Sequence, residues 1–462
     1  MESPTLESRE APAVTPVPPD SAGLSRLRRL ARETMWVVIG QALTMAGGLL
    51  GVKVLARTLD KHEFGIVALG TTGVSLANLL LFGPLSQGFL RQWSACRSTG
   101  SLPVLYRLAE RWGLRAVGAT AVLGILGAAT ALVWATPRWS VVVLLSCLAA
   151  VGTGWVSLPQ SLLNAARRQR DVAWIGGGAA VARAAAAGAC VLLIDRRAEW
   201  ALVGQAVAAA GMVWLAARAF RRLREDDAQQ APVATVGPGP DTLARELLGY
   251  SWPFVAWGVF GWAQVGGDRW ILEGFEGTAS VAGYAVISQL ASFPLIFLTG
   301  LLGMLGAPIA FARRASGEGA AAGRRARRAV WMLVGAYALG ATGVLGIYWL
   351  THRWLVLLVS DPRYASVSGL LPALTAGWTL YYLGQMLAQF GLLEGRSAAY
   401  IAPKVGSSLI LIAAGVALCP RLGTAGLVWA VGLSGGTYAV WCGVIAWLVG
   451  RPPRASAAEA SP

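Results

Sequence analysis

Residues 172–194 read VAWIGGGAAVARAAAAGACVLLI, an unbroken apolar run with one charge, Arg183. As a helix rising about 1.5 Å per residue it is about 34 Å long, enough to cross a hydrocarbon core of roughly 30 Å. A run of that length and uniformity predicts a membrane span.

Working outward from it, comparable runs occupy almost the whole chain. They predict twelve spans, at residues 34–56, 64–88, 113–134, 140–164, 172–194, 200–217, 247–272, 279–311, 329–350, 366–391, 398–418 and 423–449. The composition agrees: 55% hydrophobic and 13% charged residues over 462, with a mean hydropathy of +0.56, against roughly 25% charged in a soluble globular protein. The expected class is an all-α polytopic membrane protein. The formal charge of +16 comes from arginines and three lysines set mainly in loops, which marks membrane topology before it marks a nucleic-acid partner. Placing both termini inside makes every inward loop basic, so the span count and a cytoplasmic location of both ends support one another. Cys96, Cys147, Cys190, Cys419 and Cys442 show no C-x-x-C spacing, so neither a disulfide framework nor a metal site is expected.

The expected organisation is a disordered cytoplasmic tail (1–24), an N-terminal six-helix lobe (25–217), a cytoplasmic linker (218–246) carrying Pro238-Gly239-Pro240, a C-terminal six-helix lobe (247–450) and a short tail (451–462). The halves echo each other. Arg170 followed by Trp174-Ile175 recurs as Arg396 followed by Tyr400-Ile401, and Ala201-Leu202-Val203 as Gly426-Leu427-Val428. Six spans return the chain to its starting side, so such halves are parallel repeats with a cavity expected at their interface.

Leu55-Ala56-Arg57-Thr58-Leu59 followed by Glu63-Phe64-Gly65 resembles the opening of the bacterial oligosaccharide flippases. Gly267-Asp268-Arg269-Trp270-Ile271-Leu272, Val281-Ala282-Gly283-Tyr284 and Ser360-Asp361-Pro362-Arg363-Tyr364-Ala365 are similar to that family's second half. The resemblance runs from about residue 30 to 449 and places the chain in the superfamily of multidrug, oligosaccharidyl-lipid and polysaccharide exporters. It implies two lobes around a central cavity and the turning over of a polyprenyl-pyrophosphate-linked oligosaccharide to the outer leaflet of the cytoplasmic membrane, as for O-antigen or exopolysaccharide. It also implies membrane lipids, a polysaccharide polymerase and glycosyltransferases as partners, with no nucleic acid. Twelve spans, where the lipid II flippase branch usually has two more, argue against a peptidoglycan precursor.

The residues add a reading of their own. The first six predicted spans contain no Asp or Glu and the last six only Asp268, while Arg183 and Lys53 stand as intramembrane cations. An electropositive cavity suits a pyrophosphate and repels organic cations. Arg183 sits near mid-membrane on a small-residue face (Ala179, Ala180, Ala186, Ala187), where a lipid-facing arginine would cost roughly 2.5–3.5 kcal/mol. It leads the candidate pyrophosphate contacts, followed by Lys53 and by Arg91, which closes polar span two. Amides and aromatic faces bind sugars without charge, so Asn78, Gln160, Asn164, Gln264, Trp378, Tyr382, Gln385 and Gln389 are candidate glycan contacts. Asp268 and Arg269 are candidates for gating or coupling. His62 and His352 are the only histidines, and there is no Walker sequence. No enzymatic activity and no cofactor are therefore expected. The competing readings are an organic-cation exporter of the same superfamily, with Asp268 carrying the coupling, and a scaffold for polysaccharide assembly.

Overall fold

The computed structural model describes residues 19–229, 239–315, 320–393 and 397–449. The predicted tails beyond these bounds and residues 230–238 of the predicted linker lie outside the described residues.

The N-terminal part runs α1 (Pro19–Thr58), α2 (Lys61–Ala77), α3 (Gly83–Ser98), α4 (Leu102–Trp134), α5 (Pro137–Ala165), α6 (Gln169–Leu193) and α7 (Ala198–Gln229). The C-terminal part runs α8 (Pro240–Trp262), α9 (Asp268–Glu276), α10 (Thr278–Ala315), α11 (Ala320–Val359), α12 (Leu371–Leu387), α13 (Gln389–Leu393), α14 (Ile401–Leu422) and α15 (Thr424–Val449). Asn78–Phe82 and Ala263–Gly267 are π-helical turns that join α2 to α3 and α8 to α9. Each of these pairs is therefore one wound-down rod, as π insertions produce within helices.

Turns are short where the sequence supplies the chemistry. Asp60 caps α2 by accepting a 2.8 Å hydrogen bond from the Glu63 amide. Gly277 (φ +77°) and Gly423 (φ +56°) take the left-handed conformation at the ends of α9 and α14.

Among the described residues ten helices are long and apolar enough to cross a membrane. The other two predicted spans, seven and ten, are also helical. Span ten has only 17 residues in α12, and span seven is diluted by Trp252, Trp257, Trp262 and Tyr250. Large apolar side chains point outward, with Trp134 84%, Leu193 83% and Leu350 83% exposed. Such surface is stable against lipid and not against water.

The same pairings build each lobe. α4 packs on α5, α5 on α7 and α6 on α7; α11 packs on α12, α12 on α15 and α14 on α15. The faint sequence repeat thus has a structural counterpart, a helix pair for each helix pair. The lobes meet where α2 and α1 touch α10 and where α3 touches α8. The start of the predicted linker is helical: α7 continues past residue 217, and Arg224 reaches Glu110 of α4 at 2.5 Å while Asp226 pairs with Arg168.

Candidate functional site

A cavity of about 500 Å³ lies between α1, α2, α5, α6, α7 and α10. Close helix packing sets its floor. A Cβ on Gly47 of α1 would stand 2.6 Å from the Ala180 carbonyl carbon and the Val181 amide of α6, so only glycine lets these two backbones approach. That contact turns the next face of α6 inward, and Ala180, Arg183, Ala184 and Ala187 line the cavity. Opposite them, the π-helical turn begins at Asn78, whose Nδ2 donates to the Val74 carbonyl at 2.8 Å and to Thr153 Oγ1 at 3.0 Å. These two bonds fix the amide and leave its oxygen free for a ligand. Gln205 of α7 and Gln289 of α10 complete the polar part of the lining, and neither amide bonds to a described residue. Phe293 of α10 closes the side facing Gly48.

Arg183 is the only charged group among the described lining residues. It is half-buried and forms no ion pair or hydrogen bond with a described residue. A guanidinium in such surroundings is incompletely satisfied and favours an anion that offers several oxygen acceptors.

Of the other sequence candidates, only Asn78 joins Arg183 in the lining. Lys53 is half-buried one position beyond the lining residue Val52, and is not itself part of the lining. Arg91 is exposed and lies 4.2 Å over the ring of Tyr250. Gln160 sits between α5 and α6 against Gly176. Asn164 is exposed at the end of α5, accepting from Gln169 at 2.9 Å.

In the C-terminal lobe the span-ten stripe is packed core. Trp378 is 1% exposed, its ring 5.5 Å from Tyr381 and 5.9 Å from Tyr382. Gln385 donates to the Tyr381 hydroxyl at 3.2 Å, and Gln389 is half-buried outside the cavity. Gln264 is wholly buried and accepts from Ser434 at 3.1 Å. Asp268 is wholly buried too, accepting from the Tyr284 hydroxyl at 2.5 Å and the Arg269 amide at 2.8 Å. The π-helical turn before it rotates Asp268 off the stripe that ideal helical spacing draws through Tyr250, Trp257 and Gln264. Arg269 instead crosses between lobes, donating to the Ala68 carbonyl at 3.3 Å.

Sequence reasoning missed Gln205 and Gln289, single amides in otherwise apolar spans and legible as such. It also missed a third intramembrane cation, Lys404. This residue lies inside the predicted span 398–418, but so near its start that it reads as an interfacial loop charge.

Two of the stretches that carried the family resemblance meet in space. Arg57 Nε donates to the Ser360 carbonyl at 3.1 Å, and Arg363 donates to the carbonyls of Leu59 at 2.9 Å and Arg57 at 3.4 Å. Asp361 holds Arg363 by a 2.9 Å bond. That contact draws the Asp361 carboxyl below its ordinary pKa and raises that of Arg363. Phe64 and Tyr364 pack edge to face at 6.2 Å, and His62 bonds to Thr278. These contacts latch the lobes together beyond one end of the cavity.

A family model described as "Polysaccharide biosynthesis protein" matches residues 30–305. No curated protein matches at a significant level. Among solved structures, the chain is similar to the lipid II flippase MurJ in an inward closed conformation, at 10% identity over 89% of this chain and 86% of that one, with a TM-score of 0.61. It is similar to a transporter of the MOP superfamily from Pyrococcus furiosus at 12% identity, covering 92% and 96%, with a TM-score of 0.59. An outward-facing multidrug resistance MATE family transporter matches at 12% identity over 91% and 96%, with a TM-score of 0.59. At such identities these likenesses concern the fold.

Proposed function

The chain belongs to the polysaccharide biosynthesis protein family, and on that premise we propose that it is a flippase carrying a polyprenyl-pyrophosphate-linked oligosaccharide across the bacterial cytoplasmic membrane. The observation that carries this reading is a cavity whose single charged lining residue is the unpaired cation Arg183. A pyrophosphate offers the dispersed negative oxygens that a guanidinium binds in pairs. Asn78, Gln205 and Gln289 offer amides to sugar hydroxyls, and the prenyl tail stays in the bilayer beside the α1/α10 seam.

A volume of about 500 Å³ falls among pockets that enclose a drug-sized ligand. A whole oligosaccharide therefore needs the lobes to part. With both termini cytoplasmic, the Arg57–Arg363 latch lies on the outer side. The described conformation is then sealed outward, and release requires those contacts to break. Polysaccharide polymerase and glycosyltransferases are the partners this task would bring to the membrane.

An organic-cation exporter shares the fold, and Asp268 is a buried carboxylate. Asp268 is engaged by Tyr284 and Arg269, however, and no acidic residue stands among the described lining residues.

The test places purified protein in liposomes with a fluorescent polyprenyl-pyrophosphate oligosaccharide on one leaflet and follows its arrival on the other. Turnover is expected for this substrate and not for a small organic cation. The opposite pattern would reverse the assignment.

A further inference from the structure

Lys404 is the one lysine buried in the C-terminal lobe, at 1% exposure. Its ammonium stands 4.3 Å from the ring centroid of Tyr381, 4.9 Å from that of Trp257 and 5.5 Å from that of Tyr438, and it donates to the Tyr381 hydroxyl. No ion pair with a described acidic residue accompanies it. Four helices bring these groups together: α8 supplies Trp257, α12 Tyr381, α14 Lys404 and α15 Tyr438. The construction is specific. Tyr381 and Tyr438 stack at 5.2 Å and 29°. Tyr438 lies so close to α12 that a Cβ on Gly384 would come within 2.4 Å of its ring. Gln385 Nε2 donates to the Tyr381 hydroxyl and keeps that oxygen's lone pairs near the ammonium. Ring faces within about 6 Å of a cation attract it, more strongly when water is excluded, and boxes of this kind recognise ammonium ligands.

A lysine whose only function is to fill space does not need three aromatic faces, and one paired for stability is given a carboxylate. We propose that this box is a primary-ammonium binding site that the chain occupies with its own Lys404, so that the aromatic core of the C-terminal lobe is closed to external organic cations. Trp257 is 38% exposed and forms the wall through which a small amine would gain access once the lysine is removed. The proposal concerns ligand class and is independent of the flippase assignment.

The experiment uses the full chain in detergent, as wild type and as Lys404→Ala. Thermal unfolding is followed with and without n-butylammonium, with n-butanol as the uncharged control of the same length. Lys404→Ala is expected to unfold several degrees lower than wild type, to regain most of that loss with butylammonium at roughly millimolar concentration, and to gain nothing from butanol. Wild type is expected to respond to neither. Trp257→Leu added to Lys404→Ala should abolish the rescue. If Lys404→Ala does not accumulate, Lys404→Ser leaves the same space with a hydroxyl to solvate it and is read the same way. Absence of rescue in the variant that is recovered, equal rescue by butanol, or an equal response from wild type overturns the proposal.

Discussion

At the scale of single residues, Arg183 bears the most weight. It is a mid-membrane cation with no described counter-ion, and charged hydrogen bonds to a ligand are worth about 1.5–3 kcal/mol each. Arg183→Ala is therefore expected to lower leaflet-to-leaflet transport of the pyrophosphate-linked substrate at least tenfold, with Arg183→Lys retaining part of the rate. Transport by the alanine variant within twofold of wild type would move the anion contact elsewhere. Asp268 predicts differently. Asp268→Ala strands the buried Tyr284 hydroxyl, a loss of about 1–3 kcal/mol, and should lower the unfolding temperature, whereas Asp268→Asn keeps an acceptor and should transport at near the wild-type rate. Loss of transport in a normally folded Asp268→Asn variant would revive the coupling role. Arg183 was legible in the sequence because a lone charge among alanines and glycines has only one tolerable direction. Trp378, Tyr382 and Gln385 were misleading because an aromatic stripe in a membrane helix looks the same whether it faces a lumen or three neighbouring helices.

Among elements, the α1/α6 pair decides whether Arg183 points into the cavity at all. Gly47→Val drives a branched side chain into the α6 backbone, and overpacking of this kind costs about 1–3 kcal/mol or more. Gly178→Val, on the same α6 helix but with nothing within 4 Å of its Cβ position, isolates the effect of contact from that of helix propensity. Gly47→Val should lower both the unfolding temperature and transport, and Gly178→Val should leave both near wild type. Equal behaviour of the two would remove the packing argument. The spans were readable because apolar length is written residue by residue. The π-helical turns at Asn78–Phe82 and Ala263–Gly267 were not, since one extra residue in a turn leaves no compositional trace. They rotate everything that follows, which is why the stripe drawn through Gln264 to Asp268 led to the wrong face.

For the whole molecule, two lobes that pivot about a shared cavity must exchange one set of contacts for another, and the contacts now made are polar, few and confined to short turns. The Arg57, Leu59, Ser360 and Arg363 set depends on backbone carbonyls, which any substitution leaves in place, so its strength rests on the two arginines and on Asp361. Because the Asp361 carboxyl titrates below its ordinary value of 3.8, its contribution is complete above that value and is lost as pH falls through the lowered one. The latch should thus be insensitive to pH across the neutral range and weaken only in strong acid. Covalent closure tests whether the latch must open. His62 and Thr278 touch across the lobes, and cysteines at both positions, joined by a short reducible cross-linker, should stop transport and recover it on reduction. The five native cysteines are buried or half-buried and provide the background control. A cross-linked protein that transports at the wild-type rate would mean that the lobes need not part at this end. Substrate would then have to leave along the α1/α10 seam without the rocking motion that the paired lobes otherwise make natural.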